Sequence, residues 1–240
     1  MSWGKPGYKR DLRPTDFAAA RRIQEKLRKK VRLEALRIPV RLVAGADATF
    51  LEDTAVGAAC LLTFPALEPV AEGRAIVEAP LPYRSGYLSF REGQALAEAL
   101  LALPERPDIV LVDGQGIAHP KRLGLASFLG LVLGLPTVGC AKSRLIGDHE
   151  DPAPQRGAWT LLRDKGETVG AVLRTRAGVR PVYVSPGHLT DLEQAIEFIL
   201  ACGGGFRIPE PLRLADRLSK AFKKEIQAGR GGRSVASRQN

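Results

Sequence analysis

The sequence predicts a single α/β domain built on a mixed sheet with helices packed against it. Three observations carry that prediction. Strand-like runs at "VRLVAGADATF", "AVGAACLLTF" and "PVAEGRAIVEAP" follow one another with only short turns between them, the pattern of an antiparallel meander. "DIVLVD" is instead short and apolar, as strands covered on both faces are. Segments of helical spacing then alternate with strands, in the order helix, three strands, helix, strand, helix, strand.

Taken along the chain, Thr15 or Asp16 can cap a helix over "DFAAARRIQEKLRKKVRLEALR", where Phe17, Ala20, Ile23, Leu27, Val31 and Leu36 recur on one face and Pro39 ends the run. After the three meander strands, "LPYRSGYLSF" is a loop broken by Pro and Gly. "REGQALAEALLAL" is the second helix, capped by Ser89. The strand "DIVLVD" leads to the helix "RLGLASFLGLVLG" and then to the strand "PTVGCAKS". Past the polar loop "GDHEDPAPQRG", "AWTLLR" and "TVGAVLRTR" are strands joined at "DKGE", and "PVYVSPGHLT" leads into the helix "DLEQAIEFILAC", closed by Gly203–Gly205. Pro209 or Pro211 opens a last helix to about Gln227, and residues 228–240 have the composition of a disordered basic tail. The division is a basic helical region over 1–37, one domain over 38–227, and the tail.

Composition narrows the class. No apolar run is long enough to span a bilayer, and the N-terminus lacks the apolar stretch of a signal peptide. Cys60, Cys140 and Cys202 have neither disulfide-framework nor metal spacing, so buried free thiols in a reducing cytoplasm are expected. No membrane is expected as a partner, and the protein is expected to be a monomer. Charge is distributed unevenly. Residues 1–37 hold 12 Lys/Arg against 4 Asp/Glu, residues 213–240 hold 8 against 2, and the body between them holds 16 against 20. Basic ends on a mildly acidic body suit a polyanion, of which nucleic acid is the commonest.

Three acids stand out by position. Asp47 lies mid-strand among apolar residues, where a carboxylate is costly without partners. Asp113 ends the fourth strand, where open α/β sheets place ligands. Glu92 lies in the first turn of the second helix. Taken singly, Glu92 is explained by the helix dipole and Asp113–Gly114 by a turn. Taken together, with the first and fourth strands as neighbours, the three converge and require a cation. Oxygen ligands favour Mg²⁺ or Mn²⁺ over zinc, and two such ions roughly 4 Å apart can clamp a phosphodiester.

With these residues in place the chain resembles the endonuclease V family, in "VAGADATF", "PYRSGYLSFREG", "LVDGQGIAHPKRLGLASFLGLVLGLPTVGCAKS", "YVSPGHLTD" and "RIPEPLRLAD". The stretches keep the family's order across about residues 40–218. The resemblance implies a ribonuclease H-like fold and a Mg²⁺-dependent endonuclease of DNA repair, with Mn²⁺ as substitute. It would nick the second phosphodiester 3′ of deoxyinosine (deaminated adenine) in DNA, leaving 3′-hydroxyl and 5′-phosphate ends. Carried over by residue, Asp47, Glu92 and Asp113 are metal-binding acids, Asp216 is a further candidate ligand, and Lys142 is a cation for the phosphate.

Pro82, Tyr83 and Arg84 fall in the loop that the family uses as a strand-separating wedge. Here it reads Pro-Tyr-Arg-Ser where Pro-Tyr-Ile-Pro is usual. Gly114, Gly116 and Gly124 would admit the flipped base against backbone, and His119 would bond a phosphate or order the turn. Gln115 and Ala118 stand where His and Ser are frequent. His188 is expected to be structural and His149 exposed. The rivals are an endoribonuclease acting on inosine in RNA and a non-cleaving lesion-binding protein.

Overall fold

The computed structural model describes residues 12–36 and 38–236. Eight strands form one sheet in the order β3-β2-β1-β4-β5-β8-β7-β6. The strands are β1 (Leu42–Leu51), β2 (Thr54–Thr63), β3 (Pro69–Glu78), β4 (Ile109–Val112), β5 (Thr137–Ala141), β6 (Trp159–Asp164), β7 (Glu167–Leu173) and β8 (Val182–His188). The helices are α1 (Phe17–Arg28), α2 (Leu88–Leu101), α3 (Leu125–Leu133), α4 (Leu192–Ala201) and α5 (Glu210–Ala236). β1, β2 and β3 form the expected antiparallel meander, and β4 and β5 add to β1 in parallel. That half is ribonuclease H-like. β8, β7 and β6 extend it antiparallel.

The sheet divides the core in two. Ala44, Ala46, Val110 and Val112 pack with α2 and α3 on one face. Val43, Ile109, Leu111, Val138 and Cys140 pack with α4 and α5 on the other. Alternation along a strand then fixes where the acids point. Val43 pairs with Ile109 and Ala46 with Val112, so the next residues, Asp47 and Asp113, lie side by side on the α5 face. The Asp113 N–H donates to the Ala46 carbonyl at 3.1 Å, holding the two strands together at that step.

Several elements differ from the sequence expectation, each for a physical reason. Asp16 caps α1 through the Ala19 N–H at 2.7 Å, but the helix stops at Arg28 rather than near Arg37. Beyond it, the backbone of Arg32 bonds His188 and Leu189, and that of Leu36 bonds the Gln194 side chain. These tertiary bonds replace the intrahelical ones. α2 starts at Leu88, so Ser89 is inside it rather than capping it, and the N-cap Tyr87 makes no side-chain bond. Most of the stretch "PVYVSPGHLT" is strand (β8) despite Pro186; the register with β5 shifts between Thr137 and Val138, leaving Gly187 as an extra residue in β8 next to the proline. α5 continues past Gln227 to Ala236, into the stretch whose composition suggested a disordered tail. Of the basic N-terminal region, residues 1–11 and 37 lie outside the described residues. No helix among the described residues is long and apolar enough to cross a membrane.

α5 can approach β1 closely because Gly45 has no side chain. A Cβ there would lie 2.1 Å from the Pro211 carbonyl oxygen. Gly45→Ala is therefore expected to cost on the order of 1–3 kcal/mol by overpacking. Urea unfolding should show a lower midpoint at unchanged slope, and a change under about 0.5 kcal/mol would contradict the close packing of α5.

Candidate active site and adjacent cavity

Asp47 is buried, at 9% exposure, in the middle of β1. Its Oδ2 lies 3.1 Å from Ser219 Oγ on α5, whose single proton is shared between Asp47 and the Asp216 carbonyl at 3.0 Å. Asp113 emerges from β4 beside it and accepts a hydrogen bond and ion pair from the Lys142 ammonium, just past β5. Asp216, one α-turn before Lys220, pairs with that lysine at 2.7 Å. Glu92 comes from the opposite side, in the second turn of α2; no acid occupies the first turn. The helix dipole therefore does not explain its placement.

Electrostatics tie these groups together. Burial, then the neighbouring Asp113 charge, push the Asp47 carboxyl up to about 7, against the opposing pull of Lys142. Burial, then the charges of Asp47 and Asp113, push Glu92 up to about 8. Burial works against the Lys142 ammonium, but its bond to Asp113 and the fields of Asp113, Asp47 and Asp216 outweigh it and raise its pKa. Among the described residues no three His, Cys, Asp or Glu are drawn together tightly enough to hold an ion in this arrangement. Even so, the donor set suits one. It brings together carboxylates whose burial and charges push Asp47 and Glu92 up, a problem that a divalent cation relieves and that Lys142 relieves only in part.

Beside the acids lies a cavity of about 410 Å³, counting its open mouth, bordered by Tyr83, Gly86, Gln115, His119, Gly124 and Leu145. Tyr83 is 71% exposed at its rim. The loop that carries Tyr83 is firmly held from behind. The Gly86 carbonyl accepts from Gln24 Nε2 on α1 at 2.7 Å and bonds His119 Nε2 at 3.1 Å. His119 Nδ1 accepts from the Lys121 N–H, which leaves the proton on Nε2 to donate to Gly86. Burial holds the His119 pKa down at about 4, so the ring is neutral. His119 thus orders this loop.

Arg84 is committed as well, its guanidinium 4.9 Å from the Phe17 ring centroid and 5.6 Å from that of Tyr87. Pro82 precedes Tyr83 in this loop, outside the set that borders the cavity. The glycines need a different account from the expected one. A Cβ on Gly116 would lie 2.0 Å from the Pro186 carbonyl oxygen, and one on Gly124 2.2 Å from that of Gln115. A Cβ on Gly114 would meet Leu125 at 3.3 Å. Their smallness is used first by the protein's own packing, and only Gly124 among them borders the cavity.

Of the departures from the family's wording, Ala118 is buried against Leu162, Val169 and Val172, apolar company in which a serine hydroxyl would find no hydrogen-bond partner. Gln115 Nε2 donates to the Ser143 carbonyl at 3.0 Å, while its buried Oε1 has no protein partner. His188 is structural, accepting from the Arg32 N–H. His149 is not free in solvent as expected but stacks edge-on against Tyr183, with ring centroids 5.6 Å apart. Sequence reasoning missed Ser219, Gln24 and Leu145, none of which carries a local signal.

Asp47 and Glu92 are harder to ionise folded than unfolded, so the stability they allow is full below their ordinary values of 3.8 and 4.5 and is lost as pH rises through about 7 and 8. In chelator, Asp47→Asn should therefore gain on the natural protein as pH rises from 4 to 8.5, by a few degrees in Tm. A Tm difference that does not change with pH would refute the raised Asp47 pKa.

Comparison with known proteins agrees with this geometry. The family model described as Endonuclease V matches residues 25–217. A protein of Geotalea uraniireducens named Endonuclease V is 51% identical, over 89% of this chain and 92% of its own. The crystal structure of the endonuclease V of Streptomyces avermitilis superposes with a TM-score of 0.86 at 41% identity, covering 90% of this chain and 96% of that one. That of Ciona intestinalis endonuclease V, in complex with a 24mer DNA containing an inosine followed by a ribo-adenosine, gives 0.76 at 28% identity, covering 88% and 98%. A match over most of the chain, at half-identity and with the same fold, shows that this chain belongs to the endonuclease V family.

Proposed function

We propose that the protein is a Mg²⁺-dependent endonuclease of DNA repair, with Mn²⁺ as substitute, that cuts the second phosphodiester 3′ of deoxyinosine and leaves 3′-hydroxyl and 5′-phosphate ends. The observation that carries this reading is the adjacency of a Lys-compensated acid cluster and a cavity with an exposed tyrosine at its rim. Asp47, Asp113 and Glu92, with Asp216 alongside, are the residues that would hold the metal. A divalent cation bound there supplies charge neutralisation and Lewis-acid polarisation of the phosphodiester.

The chain's own residues supply the rest. Tyr83 enters the gap left by the deaminated base and offsets part of the unstacking cost. The cavity behind it takes the base. Lys142 exchanges its bond to Asp113 for a phosphate oxygen and stabilises the charge that develops there. Glu92, with its raised pKa, holds or passes a proton near neutral pH.

One observation favours a second reading, an endonuclease acting on inosine in RNA. The Ciona relative was crystallised on a strand with a ribonucleotide directly after the inosine. One 2′-hydroxyl contact separates the two, and any polar side chain can make it.

Matched DNA and RNA oligonucleotides carrying a single inosine, incubated with Mg²⁺ or chelator, test the proposal. Mg²⁺-dependent nicking 3′ of the lesion in DNA is expected, and preferred cutting of RNA would promote the second reading. Asp113→Asn should lower the rate at least about 10³-fold while binding persists. No metal-dependent nick in either strand, or near-normal cutting by the variant, would refute it.

A further inference from the structure

Residues 38–212 carry more acid than base, yet one face of this body is strongly basic. Beyond the catalytic acids the surface opens into a broad groove of about 1020 Å³, counting open solvent, in which Lys142, Arg144, Arg174, Arg180 and Arg207 face a single acid, Asp151. Such a concentration of one sign in a concave surface attracts a polyanion.

The five cations differ in what they can offer. Arg174 donates to the carbonyls of Pro152, Ala153 and Val179, and Arg207 to those of Lys142, Arg180 and Pro181. These two shape the groove walls and lend it their charge. Arg144 bonds the Gly147 carbonyl and Asp148, whose own side chain is almost wholly in solvent. The Arg180 guanidinium is exposed and has no hydrogen-bond or ion-pair partner among the described residues. Arg144 and Arg180 are therefore the groove cations that can turn to a new anion at little cost.

The groove is continuous with the site already described. Lys142 belongs to both, pairing with Asp113 on one side and lining the groove on the other. Three residues on, Leu145 borders the base cavity. The segment from Lys142 to Leu145 thus links the three, with Lys142 at the acids and the groove, Arg144 in the groove and Leu145 at the cavity.

We propose that this groove binds the backbone of the cleaved strand on the 3′ side of the lesion. This rests on the reading of the acids and cavity as the site of a cut 3′ to the flipped base. If the base sits in the cavity and the cut lies 3′ of it at the acids, a strand leaving the acids past Lys142 enters the groove. Arg144 and Arg180 meet its phosphates, which positions the strand without reading its sequence. Phosphate binding is then supplied by the acidic body itself and not only by the basic chain ends.

The full-length protein and its Arg144→Ala, Arg180→Ala and doubly substituted variants test this on three single-inosine DNA oligonucleotides. One is long on both sides, one is cut short a few nucleotides 3′ of the inosine, and one is cut short 5′ of it. Binding is read by fluorescence anisotropy in chelator across a salt series, and cleavage by rate with Mg²⁺. On the long and the 5′-shortened strands each substitution should weaken binding about three- to tenfold and lower the salt slope by about one. On the 3′-shortened strand the variants should match the natural protein. Equal losses on all three strands, losses that vanish on the 5′-shortened strand instead, or no loss at all would overturn the proposal. If the natural protein binds with this length dependence but does not cut, the catalytic reading fails while the groove stands.

Discussion

Asp47 and Asp113 are forced together by strand register. β1 and β4 run parallel with Ala46 opposite Val112, so the next step of both strands delivers a carboxylate to the same face. Neither can turn away without reversing the alternation that buries Val43, Ala44, Ile109 and Val110 on their respective sides. Most of the site's chemistry follows from this constraint. Burial and like charge push Asp47 up to about 7 and Glu92 up to about 8, into the range where a small change in surroundings alters their ionisation.

The structure relieves the repulsion only in part. Lys142 compensates Asp113, Ser219 donates to Asp47, and Lys220 pairs with Asp216, yet Glu92 keeps a raised pKa. A fold selected for stability alone would place apolar side chains here, as it does one residue earlier at Ala46 and Val112. Retaining the carboxylates costs stability, and such a cost at one cleft marks a site of function. The surrounding architecture keeps them in place. α5 is seated against β1 over Gly45, and the cavity loop is clamped through Gly86 by α1 and His119.

Much of this could be read from the sequence because it depends on local pattern. The meander, the apolar β4 run and the acid at its end follow from alternation and burial, and the motifs around Asp47, Glu92 and Asp113 carried the family. What escaped depends on contacts distant in sequence. β8 was hidden by Pro186, which sits beside a bulge at Gly187 in the pairing with β5. The end of α1 was set by bonds from Arg32 and Leu36 to residues more than 150 positions away. Glycines 114, 116 and 124 suggested room for a base, whereas neighbouring chain fills most of that room. Gln24 gave no signal at all, since only the fold brings Gly86 to it.

On the proposed reading, Asp47 and Glu92 hold protons near neutral pH that a bound divalent cation would displace. Mg²⁺ or Mn²⁺ binding, measured by calorimetry at pH 7 in buffers of different ionisation enthalpy, tests it most directly. With the two carboxyls near 7 and 8, roughly one to two protons should be released per site filled, fewer as pH rises above 8, with affinity rising over the same range. Metal binding with no proton release, at an affinity that does not change between pH 6 and pH 9, would contradict it.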